Sequence, residues 1–266
     1  MASNKSAEMP FLDHLEELRW RIIWSLLALV IAVIVAFVLL SQVDIIARLE
    51  TPILPFLHGR KLVYTHPGDP FTIMLNASVV LGIVLAAPVI LYQIWAFVAP
   101  ALYSHEKRLA IPVMLAATML FVGGVCLAYF VVLPLAVEWL MGFQTSALEP
   151  MITADEYFGF AISLALAFGV CFELPIVILI LAALGIVTPA FLNKYRRHAI
   201  VACVFIGAFL TPGDLVWTTI AMAVPLYLLY ELSVVLSYAV HRRRQRKRAL
   251  EAAADDHAER GAGAPA

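Results

Sequence analysis

The chain has 266 residues, of which 63% are hydrophobic and only 14% charged, and its mean hydropathy is +0.91. Soluble globular domains are about 45–50% apolar and about 25% charged, so the composition excludes an ordinary soluble domain and points to a polytopic membrane protein. The net charge of −1 conceals a strongly uneven distribution of Lys and Arg along the chain.

The first 21 residues carry four acids and three bases ahead of a long apolar run. That run exceeds the length of a signal-peptide core, so no cleavable leader is expected and it is read as a retained anchor. Within the amino-terminal segment, Phe11, Leu15, Leu18 and Ile22 share one helical face, while Asp13, Glu17 and Arg21 occupy another. Two readings of Glu17 stand side by side. It can pair with Arg21 at i, i+4 in the favourable orientation, or it can present an acidic face to a basic ligand.

A bilayer core of about 30 Å takes about 20 residues of helix at 1.5 Å rise. Residues 22–40 meet this requirement with only Ser25 as a polar interruption, and form helix 1. Residues 73–99 form helix 2, with Gln93 in its tail and Pro100 as a stop. Residues 109–134 form helix 3, and residues 157–186 form helix 4, which carries Glu173 and Pro175 near its middle. Residues 199–210 form helix 5, only about 18 Å long. Helix 6 follows over residues 215–238 and contains Pro225 and Glu231. A short hairpin of helices 5 and 6 is expected to thin the local bilayer or to be buffered by neighbours.

The six helices divide the chain into an amphipathic segment at 1–21, a membrane domain at 22–240 and a tail at 241–266. The tail opens on a basic cluster and continues Ala- and Gly-rich, so it is expected to be disordered and to touch anionic lipid with its bases. Six spans leave both termini on one side. Fifteen of the eighteen Lys and Arg fall on that side, against Arg48, Arg60 and Lys61 on the other. By the positive-inside rule both termini are cytoplasmic.

Cys126, Cys171 and Cys203 lie far apart inside apolar runs, with no CxxC or Cys/His spacing. They are read as small buried hydrophobes, and neither a disulfide scaffold nor a zinc site is expected. There is no P-loop, no GxSxG, no HExxH and no Asp pair within one membrane helix. ATP-driven transport and intramembrane hydrolysis therefore have no sequence support. No enzyme activity, cofactor or nucleic-acid partner is expected.

Glu173 is the residue that hydrocarbon makes expensive. A charge at mid-bilayer costs at least about 2.5–3.5 kcal/mol, so this carboxyl must face a polar cavity, a partner helix or a proton. Pro175 removes the hydrogen bond to the Cys171 carbonyl and leaves an acceptor one turn below it. Glu173 is therefore either an internal brace or a point of functional contact. In the loop 99–108, Ser104 can cap helix 3 and Glu106 suits its dipole. Alternatively, Glu106 joins Glu17 as a second acid that holds a pair of arginines. Asp214, after Pro-Gly, suits an N-cap for helix 6.

The segments FLDHLEELRWRI, APVILYQIWAFVAPALYSHEKR, AYFVVLPLA, FGVCFELPI and FLTPGD, in this order, resemble the signature segments of the TatC family. That family is the six-helix receptor and core subunit of the twin-arginine protein translocase. The resemblance covers about residues 9–240. It implies a concave, glove-like bundle that recognises the Arg-Arg signal peptides of folded cargo and exports them on the proton-motive force. It implies that Glu17 and Glu106 contact the paired arginines, with Arg19 and Phe97 beside them. It also implies that Pro52 and Asp214 are functionally sensitive. Glu173, with Pro175, would dock a transmembrane helix of a TatA- or TatB-type small subunit in a bacterial inner membrane. The rival reading is a small-molecule or ion transporter with its midplane site at Glu173; it requires related halves, which the sequence does not show.

Overall fold

A computed structural model describes residues 11–57, 59–98, 110–142, 151–210 and 217–262. Among these residues the chain is helical, apart from turns and a single parallel bridge between Val63 and Thr153. It separates into two compact units, 1–171 and 172–266.

The first unit begins with α1, Phe11–Ser41, an unbroken helix of 31 residues. The amphipathic segment and the first span are therefore one continuous rod, with no break at residue 21. A short α2, Ile45–Leu49, follows under an N-cap from Asp44, whose side chain accepts from the Ala47 N–H at 3.2 Å. Helix α3, Asp69–Val98, starts four residues before the sequence predicts and runs straight past Pro88. Asp69 accepts the backbone N–H groups of Thr65 and His66 at 3.0 and 2.9 Å, which fixes the turn that launches α3.

Helix α4, Ala110–Leu127, leads into a π-helical turn, Ala128–Val132, and then α5, Leu133–Gly142. The sequence predicts a stop at Pro134, but the rod continues. The π turn explains why. The Leu133 N–H bonds to the Ala128 carbonyl, five residues back, and this widened register absorbs the missing donor of Pro134. The unit closes with α6, Ala154–Cys171.

Where α1 meets α3, a methyl added at Gly82 would lie 2.5 Å from Val33 Cγ2 and 2.8 Å from Val33 Cα. The two backbones are nearly in contact, the close approach that small residues permit between membrane helices. The segment between α1 and α3 is tied down by two phenols. Tyr129 Oη donates to the Arg48 carbonyl at 2.6 Å, and Tyr157 Oη donates to the Leu49 carbonyl at 3.0 Å. Both acceptors belong to the last turn of α2, whose carbonyls lack helical partners. The Ala154 N–H donates to the Val63 carbonyl at 2.7 Å and completes the attachment.

The second unit comprises α7, Leu174–Leu184, α8, Pro189–Leu210, and α9, Trp217–Ala262. Predicted helix 4 is thus two helices, α6 and α7, broken at Phe172 and Glu173. Pro175 lacks an N–H and its ring clashes with the carbonyl of residue 171, so the ladder cannot continue through it. Helix α7 ends on Gly185 at φ +81°, a left-handed cap in which its N–H reaches the Ala182 carbonyl at 3.1 Å. Helix α8 begins ten residues before the apolar stretch 199–210 and includes its polar leader Asn193–His198.

Helix α9 continues through the tail expected to be disordered, as far as Ala262. Its run of Ala, Glu, Arg and Lys is rich in strong helix formers, so a helix already nucleated in the apolar segment propagates outward. Buried hydroxyls on α9 bond back within the helix: Ser233 Oγ to the Leu229 carbonyl and Ser237 Oγ to the Val234 carbonyl, both at 2.7 Å. At the α8–α9 crossing, a methyl on Gly207 would stand 3.0 Å from the Thr219 carbonyl oxygen.

Five helical stretches among the described residues are long and apolar enough to cross a membrane: His14–Ser41, Asp69–Phe97, Ile111–Gly142, Ala154–Leu184 and Met222–Arg242. The remaining helix, α8, has only its second half apolar, in keeping with a short fifth span. Replacing Gly82 with Leu is expected to wedge α1 from α3. An overpacking cost of about 1–3 kcal/mol or more should appear as a clearly lower thermal midpoint in detergent, with Gly82→Ala intermediate. Tyr129→Phe removes the long-range donor to the Arg48 carbonyl, which keeps Thr51 Oγ1 at 2.8 Å, and should cost about 0.5–1.5 kcal/mol, measured in the same melt.

Candidate functional site

His14, Glu17 and Arg21 fall on one face of α1, spaced i, i+3 and i+7, and Gln93 and Phe97 fall on one face of α3 at i, i+4. Packing of α1 on α3 brings these five side chains together. Glu17 Oε1 accepts from Arg21 Nε at 3.0 Å and also from Arg21 Nη2. The remaining nitrogen, Nη1, donates to Gln93 Oε1 at 3.4 Å. Arg21 therefore holds the acid of its own helix while being held by an amide of the next. Both side chains of the ion pair are only 23% exposed.

The other carboxylate oxygen is in a different situation. Glu17 Oε2 is buried and has no hydrogen-bond partner among the described residues. The nearest cationic candidate is His14, whose Nδ1 lies 3.7 Å away, beyond hydrogen-bonding distance. The His14 ring lies parallel to Phe97, with centroids 4.3 Å apart and planes inclined by 12°. A buried polar atom left without a partner costs about 1–3 kcal/mol, and more when charged. Among the described residues Oε2 is thus an acceptor still open to a donor. The ion pair with Arg21 and the capacity for a basic ligand coexist, one on each oxygen.

Arg19 is exposed and lies two residues beyond Glu17, about 200° around the helix and so on a different face. Pro52 sits half-buried in the turn after α2, next to the fully buried Ile53. Glu173 occupies the break between α6 and α7. Its carbonyl accepts the N–H groups of Ile176 and Val177, both at 3.0 Å, while its side chain makes no cap. Glu173 Oε1 is buried without a hydrogen-bond partner among the described residues. Pro175 is buried in the first turn of α7. Glu106 and Asp214 lie outside the described residues.

Sequence reasoning placed Glu17 and Phe97 in the site but missed His14 and Gln93, and it treated Arg21 only as an ion-pair partner. Gln93, a polar residue in an apolar run, was the available signal, as was a histidine three residues before the acid. Glu231 is engaged by two partners. It accepts from Arg196 Nη2 at 2.8 Å and from Tyr227 Oη at 2.6 Å, and this cluster ties α8 to α9.

Comparison with known proteins accounts for most of the chain. The family described as TatC, Sec-independent protein translocase protein, matches residues 13–225. The Sec-independent protein translocase protein TatC of Aquifex aeolicus is 41% identical over 239 residues, covering 89% of this chain and 98% of the relative. The TatC protein of Escherichia coli K12 is 38% identical over 231 residues, covering 86% and 88%. A crystal structure of the twin-arginine translocase receptor TatC superposes with a TM-score of 0.74 at 40% identity, covering 86% of this chain and 99% of that one. A second, in DDM, gives 0.75 at 42% identity, covering 84% and 99%. The relatives are translocase proteins and lend no support to a solute transporter centred on Glu173. With its helical order, its paired α1–α3 site and these matches together, the chain belongs to the TatC family of Sec-independent protein translocase proteins.

Proposed function

We infer that the chain is the receptor subunit of a twin-arginine translocase in a bacterial cytoplasmic membrane. In this role it captures the paired arginines of a signal peptide at the inner face. It then exports the folded cargo with TatA- and TatB-type subunits, using the proton-motive force. The observation that carries the reading is the unpartnered Oε2 of Glu17, a buried acceptor beside an aromatic face. The distribution of bases supports inward-facing termini, which puts Glu17 and the loop bearing Glu106 on the side where signal peptides are met.

Arg21 already neutralises Glu17, so one carboxylate cannot balance two incoming guanidinium groups. A second acid is required, and Glu106, in the loop that follows α3, supplies it. Charge-assisted bonds to carboxylate favour Arg over Lys because the guanidinium fork matches the planar acceptor. Arg19, exposed on another face of the same helix, is read as a further contact for the signal peptide outside the Glu17 seat, while Phe97 backs the site.

Glu173 serves a separate step. Its position in a membrane span, together with an oxygen unsatisfied within the described residues, favours a polar group on the transmembrane helix of a small partner subunit. Pro175 supports this role by breaking the helical ladder at the acid. Pro52 lies in the turn after α2, between α1 and α3, and Asp214 belongs to the sequence that joins α8 to α9. Both are read as positions where substitution impairs transport.

A peptide carrying consecutive arginines should bind the purified chain, more weakly as salt rises. Glu17→Gln with Glu106→Gln should reduce that binding at least about tenfold, the loss of one charged hydrogen bond or more; fluorescence anisotropy measures it. Equal binding by the double variant and the parent would remove the site. Glu173→Leu should leave peptide binding intact while site-specific crosslinks from α7 to co-expressed small subunits diminish. Undiminished crosslinks would reject docking at Glu173.

A further inference from the structure

The stack of His14 on Phe97 has no role in holding Glu17. Nδ1 stands 3.7 Å from Oε2, too far for a hydrogen bond, and Oε1 is already held by Arg21. Yet the imidazole lies beside Oε2, which has no hydrogen-bond partner among the described residues. It is a flat ring, parallel to a phenyl face at 4.3 Å, with a nitrogen on the carboxylate side. A guanidinium is also flat, stacks on aromatic faces and carries N–H donors in its plane. The imidazole and a guanidinium therefore fit the same seat.

We propose that His14 is an internal stand-in for one guanidinium of the signal peptide: it occupies the stacking seat between Phe97 and Glu17 Oε2, and the ligand must displace it to bind. This rests on the proposed receptor role and adds a residue that sets affinity and selectivity. Displacing His14 breaks no hydrogen bond to Glu17, because none exists. The incoming group replaces one stack with another and gives Oε2 its missing donor. His14 is 39% exposed, so its side chain has solvent to swing into. Arg21, anchored by Gln93, keeps the carboxylate in place during the exchange.

A seat filled by the receptor's own side chain lowers apparent affinity by the fraction of time that the seat is free. A lysine ammonium has no plane to stack and makes little use of the seat, so the stand-in lowers the affinity of arginine and leaves that of lysine almost untouched. Opening the seat should therefore help binding, whereas a residue that merely supports the fold would weaken it when removed.

The test uses the full chain in lipid nanodiscs, with an Arg-Arg peptide and its Lys-Lys counterpart. His14→Ala should bind the Arg-Arg peptide about threefold to tenfold more tightly than the parent, and the Lys-Lys peptide with little change. His14→Phe restores a ring on Phe97 and should return affinity to the parent value or below. In the parent, with ¹³C-labelled histidine, the His14 ring proton is shifted upfield by Phe97. It should move to its solution position as the Arg-Arg peptide saturates. Weaker or unchanged binding by His14→Ala, or an unmoved His14 resonance at saturation, overturns the stand-in while the Glu17 site survives. If Glu17→Gln binds as well as the parent, the receptor site and the stand-in fall together.

Discussion

Hydrocarbon offers no hydrogen bonds, so each backbone and side-chain polar group in the spans must find its partner within the protein. That constraint organises the molecule. It is why the spans are helices, and why Ser78, Ser233 and Ser237 turn their hydroxyls back onto carbonyls of the preceding turn. It is also why the prolines need individual accommodation. Pro134 follows a π turn that has shifted the ladder, and Pro175 follows an outright break. Both keep orphaned carbonyls few. Against so consistent a background, an oxygen left unsatisfied among the described residues is informative, and Glu17 and Glu173 each have one.

The two acids are prepared differently. Glu17 is held by neighbours on two helices: Arg21 fixes one oxygen, Gln93 fixes Arg21, and the other oxygen waits beneath a displaceable ring. Such preorganisation spares a ligand the cost of ordering the receptor. Glu173 accepts two backbone N–H groups of α7 on its carbonyl while its side chain makes no cap, at a point where two helices stop and start. The first arrangement suits selective capture of a small charged group. The second suits a contact whose geometry the arriving helix completes.

Much of this was legible in the residues. Apolar run lengths located the spans, and the cost of a mid-membrane charge drew attention to Glu173, where the structure has a break between α6 and α7. What the sequence could not show were effects that depend on register or on distant neighbours. Pro134 looks like a terminator until the π turn before it is known, while Pro175 looks like a kink and proves to be a full stop. The contact of Arg21 with Gln93 spans 72 positions, and no spacing rule along one helix reveals it. His14 shows in the sequence only as a histidine three residues before the acid; its meaning comes from the Phe97 ring, which only the α1–α3 crossing supplies. That crossing in turn depends on Gly82, a residue with no side chain to draw attention. The tail misled for another reason: composition measured its polarity, whereas its helical propensity decided its conformation.

The length of α9 carries a mechanical consequence. Its apolar part ends at Arg242, but the helix runs on to Ala262, adding about 30 Å of rod beyond the lipid. A flexible tail would let its basic cluster wander over the headgroups, whereas a continuous helix transmits tilt. A few degrees of rotation where α9 crosses α8 become a sweep of ångströms at the far end. Whatever touches that outer segment has a lever on the hairpin inside the membrane.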